Sequence, residues 1–358
     1  MPKVLILVAH RPQRSPSQRY RFEQYLPFLQ SHGYEFTWSY LLNEKDDKVF
    51  YSKGHFVAKV LIMLKGLMMR FRDVQRFNQF DLIFIQREAT FFGTSYFEKK
   101  AKASGKKVIF DFDDAIWIED TSPGNQKWKW LKNTNKFNTN VACANIVIAG
   151  NAYLANKAKE YNTNVVIIPT TVDTNFHFQK PQLRNKEKVT IGWSGSISTI
   201  KHFESVVPVL IKLKEKFNDH IQFKVLGDEY YTNEKLNIKG LAWSAQTEVD
   251  ELNSFDIGLM PLPNDAWANG KCGLKALTYM ACGVPVVTNP VGVNKEIIQH
   301  GVNGFLVNTE EEWLKVLEEL IHDHLLREKI GNEGTKTVKQ FYSVEANKDN
   351  YLKAFNNA

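Results

Sequence analysis

Short apolar runs alternate with longer helical stretches along this chain, and most of those runs show no polar alternation. In the first half they fall at 3–8, 34–38, 81–85, 107–112, 145–149 and 165–168. In the second half they fall at 189–193, 221–226, 236–239, 256–260, 284–288 and 304–307. Such runs suit parallel strands buried on both faces. Strand–helix alternation brings right-handed crossovers, so each half is expected to form a doubly wound α/β sheet. The class expected is therefore α/β with two Rossmann-like domains facing a cleft. Helical patterns are predicted over 200–217, 308–335 and 340–356, the second with Trp313, Leu314, Val316, Leu317 and Leu320 on one face.

A length of 358 residues suits two domains. The polar segment 169–188, with two prolines, is the expected linker. The expected division is 1–172, 173–340 and a last helix at 341–358. Hydrophobic residues at 43% and charged residues at 24% supply an ordinary core and exclude a disordered chain. The three cysteines, Cys143, Cys272 and Cys282, give neither a disulfide framework nor a zinc site and fit a reducing, cytoplasmic setting. Val4–Val8 is too short for a signal-peptide core, and no run approaches the ~18 residues of a membrane span. Residues 1–175 hold 25 Lys+Arg against 16 Asp+Glu, whereas the remainder holds 21 against 23. The net +7 thus belongs to the first half, where it would attract anionic partners.

Five segments carry candidate chemistry. Gly192, Trp193, Ser194, Gly195 and Ser196 follow one strand and open a helix carrying Lys201. Small residues let backbone N–H groups approach an anion, and a helix N-terminus favours negative charge. A plain Ser/Thr cap is the competing reading. Lys271 and Lys275 flank Gly273 and Leu274 where a loop with a glycine leads into a helix. Four residues apart, they would share a helical face, and an anion between them would relieve their repulsion. Asp111, Asp113 and Asp114 end a hydrophobic strand, where open sheets bind ligands. They suit a base, sugar hydroxyls or a hard metal ion, and otherwise caps. Arg19 and Arg21 open a helix after the first strand and suit phosphate or carboxylate. Residues 53–77 hold six Lys+Arg and one Asp among many Leu, Ile, Met and Phe, the profile of a membrane-surface helix or a long packed one.

Tyr279 to Val287, Pro290 to Ile298 and Gly301 to Val307 together resemble the retaining glycosyltransferase family 4, of GT-B fold. Ile191 to Ser196, Leu226-Gly227, Asp256 to Leu262 and Ile168 to Asp173 support the resemblance, and Gln18 to Arg21 with the Asp111–Asp114 strand end extend it loosely into the first half. It implies a nucleotide-sugar donor on the second domain, an acceptor on the first, and a last helix returning to the first domain. Gly192 to Ser196 would cradle the diphosphate near Lys201, Lys271 and Lys275. Glu296 would lie beside the sugar or phosphate, and the loop with Gly240 and Trp243 near the base. Two glutamates usual in the family align with Gly270 and Thr278, so the lysine pair would neutralise the diphosphate instead. Asp113 or Asp114 would serve as base or acceptor contact, Arg19 and Arg21 as acceptor contacts.

Such an enzyme stabilises the charge of a departing nucleoside diphosphate and needs no metal, cofactor or protein nucleophile. The implied partners are a nucleotide-sugar, a glycan or lipid-linked acceptor of cell-surface polysaccharide or lipopolysaccharide synthesis, and an anionic membrane surface. Competing readings are a non-catalytic sugar-nucleotide or glycan-binding homologue, and a metal-dependent enzyme using Asp111 and Asp113. Nucleic-acid binding is disfavoured, because no compact basic–aromatic module occurs.

Overall fold

The computed structural model describes residues 1–118, 133, 135–180 and 187–358. The chain divides into two compact units, Met1–Thr170 with Asn347–Ala358, and Thr171–Ala346.

The first unit is built on six strands: β1 (Lys3–His10), β2 (Glu35–Leu42), β3 (Leu82–Gln86), β4 (Lys107–Phe112), β5 (Ile146–Ala149) and β6 (Val165–Ile167). Their order is β2-β1-β3-β4-β5-β6, with every pairing parallel. Unalternated apolar runs do what the pattern predicts, since Val4–Val8 and Ile83–Ile85 are buried. The amphipathic segment forms the helix Phe56–Arg76, with Lys59, Ile62, Met63, Gly66, Arg70 and Asp73 turned inward. The helix Val344–Asn356 completes this unit's core: Tyr351 stacks on Tyr25 at 4.1 Å, and Phe355 meets Tyr34 at 5.3 Å.

The second unit holds β7 (Val189–Ser194), β8 (Ile221–Leu226), β9 (Thr232–Asn233), β10 (Ile238–Lys239), β11 (Ile257–Met260), β12 (Val286–Thr288) and β13 (Phe305–Leu306). Five of these form a parallel sheet in the order β13-β12-β11-β7-β8. Ile191, Trp193, Leu210, Leu213, Ile257, Leu317 and Leu320 share its core. The run at 236–239 is not a sixth sheet strand. It pairs antiparallel with β9 as a short ribbon, because Asn237 adopts a left-handed φ of 52° that ends any longer strand.

Two predicted helices are broken. Pro208 starts a new helix, Val207–Phe217, after Ile200–Glu204, since proline suits a first turn and breaks an interior. Asp323 ends Glu310–His322 and caps His324–Thr337 through Leu326 N–H. The expected linker also differs. Val172 donates to Tyr342 O and Asn253 Nδ2 donates to Phe178 O, so residues up to 180 pack on the second unit. Residues 181–186 of that segment lie outside the described residues.

Candidate functional site

In the second unit the site grows from the end of β7. Trp193 is fully buried beneath this end, and Ser194 donates its N–H to Tyr279 Oη at 2.7 Å. Gly195 then crosses over the Trp193 ring. A Cβ there would lie 2.3 Å from that ring and 2.9 Å from Lys275 Nζ, so only glycine permits the crossing. Gly227, at φ +112°, packs so tightly beneath that a Cβ would meet Gly195 O at 1.7 Å. Gly195 N–H donates to Leu226 O, and Gly227 N–H donates to Leu241 O. These bonds bring the exposed Leu241–Trp243 loop beside the Gly195 turn.

Two tryptophans carry the cations. Lys275 Nζ lies 4.3 Å from the Trp193 ring centre, and Lys271 Nζ lies 3.3 Å from that of Trp267. Lys201 approaches the same Trp267 ring at 5.8 Å, and His202 stacks on it at 5.9 Å. Cations over indole faces are attracted by the ring quadrupole. The cluster is nonetheless crowded with like charge. Burial and then Lys271 push the Lys275 amine down to about 7. Burial, then Lys275, Lys201 and Lys271, push His202 down to about 4. His202 is therefore neutral near pH 7, and three amines share one region. A cleft of about 540 Å³ opens beside Lys201 and His202, walled by Val206, Leu262, Asp265 and Trp313. Such an arrangement attracts a multivalent anion.

The lysines do not share a helical face. Gly273 takes a left-handed φ of 71° as N-cap of the helix Leu274–Ala281, so Lys271 precedes the helix and Lys275 lies within it. Gly273 cannot gain a side chain, as a Cβ would meet Ile297 at 2.4 Å. The Lys271 charge nonetheless acts on Lys275.

Several expected donor contacts do other work. Gly192 lies inside β7 with Phe255 against its Cα, so it packs the sheet and lines no cradle. Ser196 and Thr199 form a reciprocal capping box, the competing reading for this turn. Thr278 presents no free hydroxyl to a donor, because it is buried and donates that hydroxyl to Lys275 O. Gly240 packs against Asp228 O, where a Cβ would lie 1.9 Å away. Leu274 is the half-buried first residue of its helix, and Glu296 is exposed on the short helix Asn294–Ile297. Sequence reasoning missed Trp267, His202 and Tyr279. The signal for the first two was their spacing, four residues before Lys271 and one after Lys201. Tyr279→Phe should cost about 1–2 kcal/mol in urea denaturation, because Ser194 N–H loses its partner. Unchanged stability would remove Tyr279 as the support of this turn.

In the first unit a second polar cluster gathers at the ends of β1, β3 and β4. Arg87, at a left-handed φ of 61°, donates Nε to Asp113 Oδ1 at 2.8 Å and reaches Asp114 Oδ2 at 3.6 Å. Asp114 also accepts from Ala115 N–H, as a cap would. His10 Nδ1 lies 3.7 Å from Asp47, which also pairs with Arg11 and Arg14. Burial outweighs Asp47 there and pushes His10 down to about 4. Arg19 is half-buried with its guanidinium 5.1 Å from the Tyr20 ring. Arg21 corrects its expected role. It is fully buried, donates Nη2 to Asp111 Oδ1 at 2.6 Å and also bonds Ile168 O, so it meets no acceptor. Asp111 is equally buried and spent on that pair, so Asp111 and Asp113 do not form one ligand-binding face.

The chain is similar to known proteins in both sequence and fold. Residues 188–323 match the family of glycosyl transferases group 1. The fold matches HepE of Anabaena, solved with UDP and glucose, at TM-score 0.70 and 15% identity over 100% of both chains. It matches sucrose-phosphate synthase of Thermosynechococcus elongatus at TM-score 0.69 and 12% identity, over 99% of this chain and 98% of that one. A glycosyltransferase of Rickettsia africae gives TM-score 0.67 and 13% identity, over 99% and 97%. In sequence, the chain is 27% identical over 175 residues to an uncharacterised 41.2 kDa protein of the cps region of Klebsiella pneumoniae, 48% of this chain and 46% of that protein. It is 27% identical over 206 residues to a probable sucrose-phosphate synthase of Thermosipho melanesiensis, 54% and 47% of the two chains. The match thus spans about half the length of these curated relatives. The fold is of GT-B type, and the second unit carries a glycosyl transferases group 1 domain.

Proposed function

We propose that this chain is a retaining glycosyltransferase of family 4 that moves a sugar from a nucleotide-sugar donor to a glycan or lipid-linked acceptor. The observation that carries this reading is the convergence of Lys201, Lys271 and Lys275 on Trp193 and Trp267 beside the Gly195 turn. A nucleoside diphosphate would place its negative charge among these amines, and they would stabilise the growing charge as the sugar departs. Leu241 and Trp243 would offer the base an apolar face, Gly273 and Leu274 backbone at a helix start, and Glu296 a contact to the sugar. HepE, of the same fold, was solved with UDP and glucose, which supports a nucleotide-sugar here. On the first unit, Arg19, Asp113, Asp114 and Arg87 are the proposed acceptor groups. We assign no protein nucleophile and no metal to the reaction. A role in cell-surface polysaccharide synthesis draws on the relative from a cps region, and a place at the cytoplasmic face of the membrane belongs to the same proposal.

The test is calorimetric titration with UDP, GDP, ADP and dTDP, followed by nucleotide-sugar turnover with membrane extract as acceptor source. One diphosphate is expected to bind and its sugar to be consumed. Binding without turnover would install the non-catalytic homologue, which the absence of glutamate at positions 270 and 278 favours. No binding by any diphosphate would overturn the reading.

A further inference from the structure

The helix Phe56–Arg76 buries one side and, among the described residues, leaves an apolar side exposed. Val57, Leu61, Leu64, Met68 and Phe71 are each between 48% and 71% exposed. From 57 to 71 the spacing alternates four and three residues, which keeps these side chains on one stripe. At 1.5 Å per residue the stripe runs about 21 Å. It continues onto the exposed Tyr96 of the neighbouring helix Tyr96–Ala103, which Phe71 meets at 5.8 Å. Contiguous exposed apolar surface of this extent marks an interaction face.

The charges around the stripe identify its occupant. Asp73 is the only carboxylate of the first helix, and it is buried between Arg70 and Arg76. Glu98 is the only carboxylate of the second, and it too is buried. The exposed charges on the two helices are Arg72, Lys99, Lys100 and Lys102, all cationic. On the side of the second helix, a second copy docked on this stripe would bring like charges together. A bilayer with anionic headgroups satisfies the apolar stripe and the cations at once. We propose that this face inserts its stripe among the acyl chains of an anionic bilayer, with Arg72 and the three lysines on headgroup phosphates. The inference deepens the reading of a lipid-linked acceptor and rests on that reading for its purpose, while its geometry stands alone.

Co-flotation with vesicles decides it, using phosphatidylcholine alone and an equimolar mixture with phosphatidylglycerol. The full chain should float with the mixed vesicles and lose more than about tenfold in binding on phosphatidylcholine alone. Two variants should each lose about tenfold or more on mixed vesicles: Leu61→Gln with Leu64→Gln and Met68→Gln, and Arg72→Gln with Lys99→Gln, Lys100→Gln and Lys102→Gln. All these side chains are exposed, so the fold should persist, and thermal unfolding checks this. Free inorganic phosphate at millimolar concentration should not compete; full competition would make the cations a phosphate site and overturn the lipid assignment. Unchanged binding by the apolar variant would overturn the proposal, as would a dimer in sedimentation equilibrium that the same variant disperses. UDP titration of the same preparations separates the two readings. Vesicle binding without diphosphate binding would leave the surface standing and remove the transferase.

Discussion

Lys275→Ala should weaken nucleoside diphosphate binding by about 1–3 kcal/mol in calorimetric titration, as expected for a charged hydrogen-bond partner. Equal affinity in the variant and the parent would remove Lys275 from the site. The effect has a pH signature. With its amine pushed down to about 7 by burial and Lys271, Lys275 is largely neutral at pH 8 before binding. A bound diphosphate would raise that value, so binding would take up a proton and weaken as pH rises above about 7. The slope should vanish in Lys275→Ala, and the binding enthalpy of the parent should vary with buffer ionisation. Stability runs the opposite way. The unfolded chain holds its lysine proton to a higher pH than the folded chain, so it binds more protons above about 7 and folding stability gains with pH there. Lys275→Met should therefore raise Tm most at pH 6 and progressively less toward pH 10. A variant that binds worse and melts higher would separate a binding role from a folding one.

Arg21→Ala should destabilise the first unit by about 3–5 kcal/mol in urea denaturation, the usual result of removing one partner of a buried ion pair. Arg21 and Asp111 are both fully buried, and the guanidinium also ties in Ile168 O. Burial pushes the Asp111 carboxyl above its ordinary value, and Arg21 opposes it. Without Arg21 the carboxyl would take a proton, so the variant's deficit should be larger at pH 8 than at pH 5. A loss below about 1 kcal/mol would mean that the pair is not structural. Diphosphate binding, which rests on the second unit, should survive wherever the variant is folded.

Much of the fold was legible because unalternated apolar runs have few other destinations. The run at 107–112 is β4 and that at 221–226 is β8, residue for residue. The run at 236–239 misled because its apolar residues suit a strand while the left-handed backbone at Asn237 confines them to a ribbon. At the site, the lysines themselves were legible from residue type and place. Their arrangement was not, because it depends on Gly273 turning left-handed and on the Trp193 ring, which lies far from Lys275 in sequence. Arg21 misled for a similar reason. A charged residue in a polar loop reads as exposed until its partner is found, and Asp111 lies 90 positions away.

The return of Asn347–Ala358 to the first unit also bears on the order in which this protein can mature. Tyr351 fills the space against Tyr25, yet the ribosome makes it only after the whole of Thr171–Ala346. The first unit emerges early with that part of its core open, and it closes only once the second has been synthesised. Folding by units from the N-terminus is the common sequence during synthesis. Here the earlier unit waits for the later one, so damage near Tyr351 would be felt first by the half of the protein that was translated first.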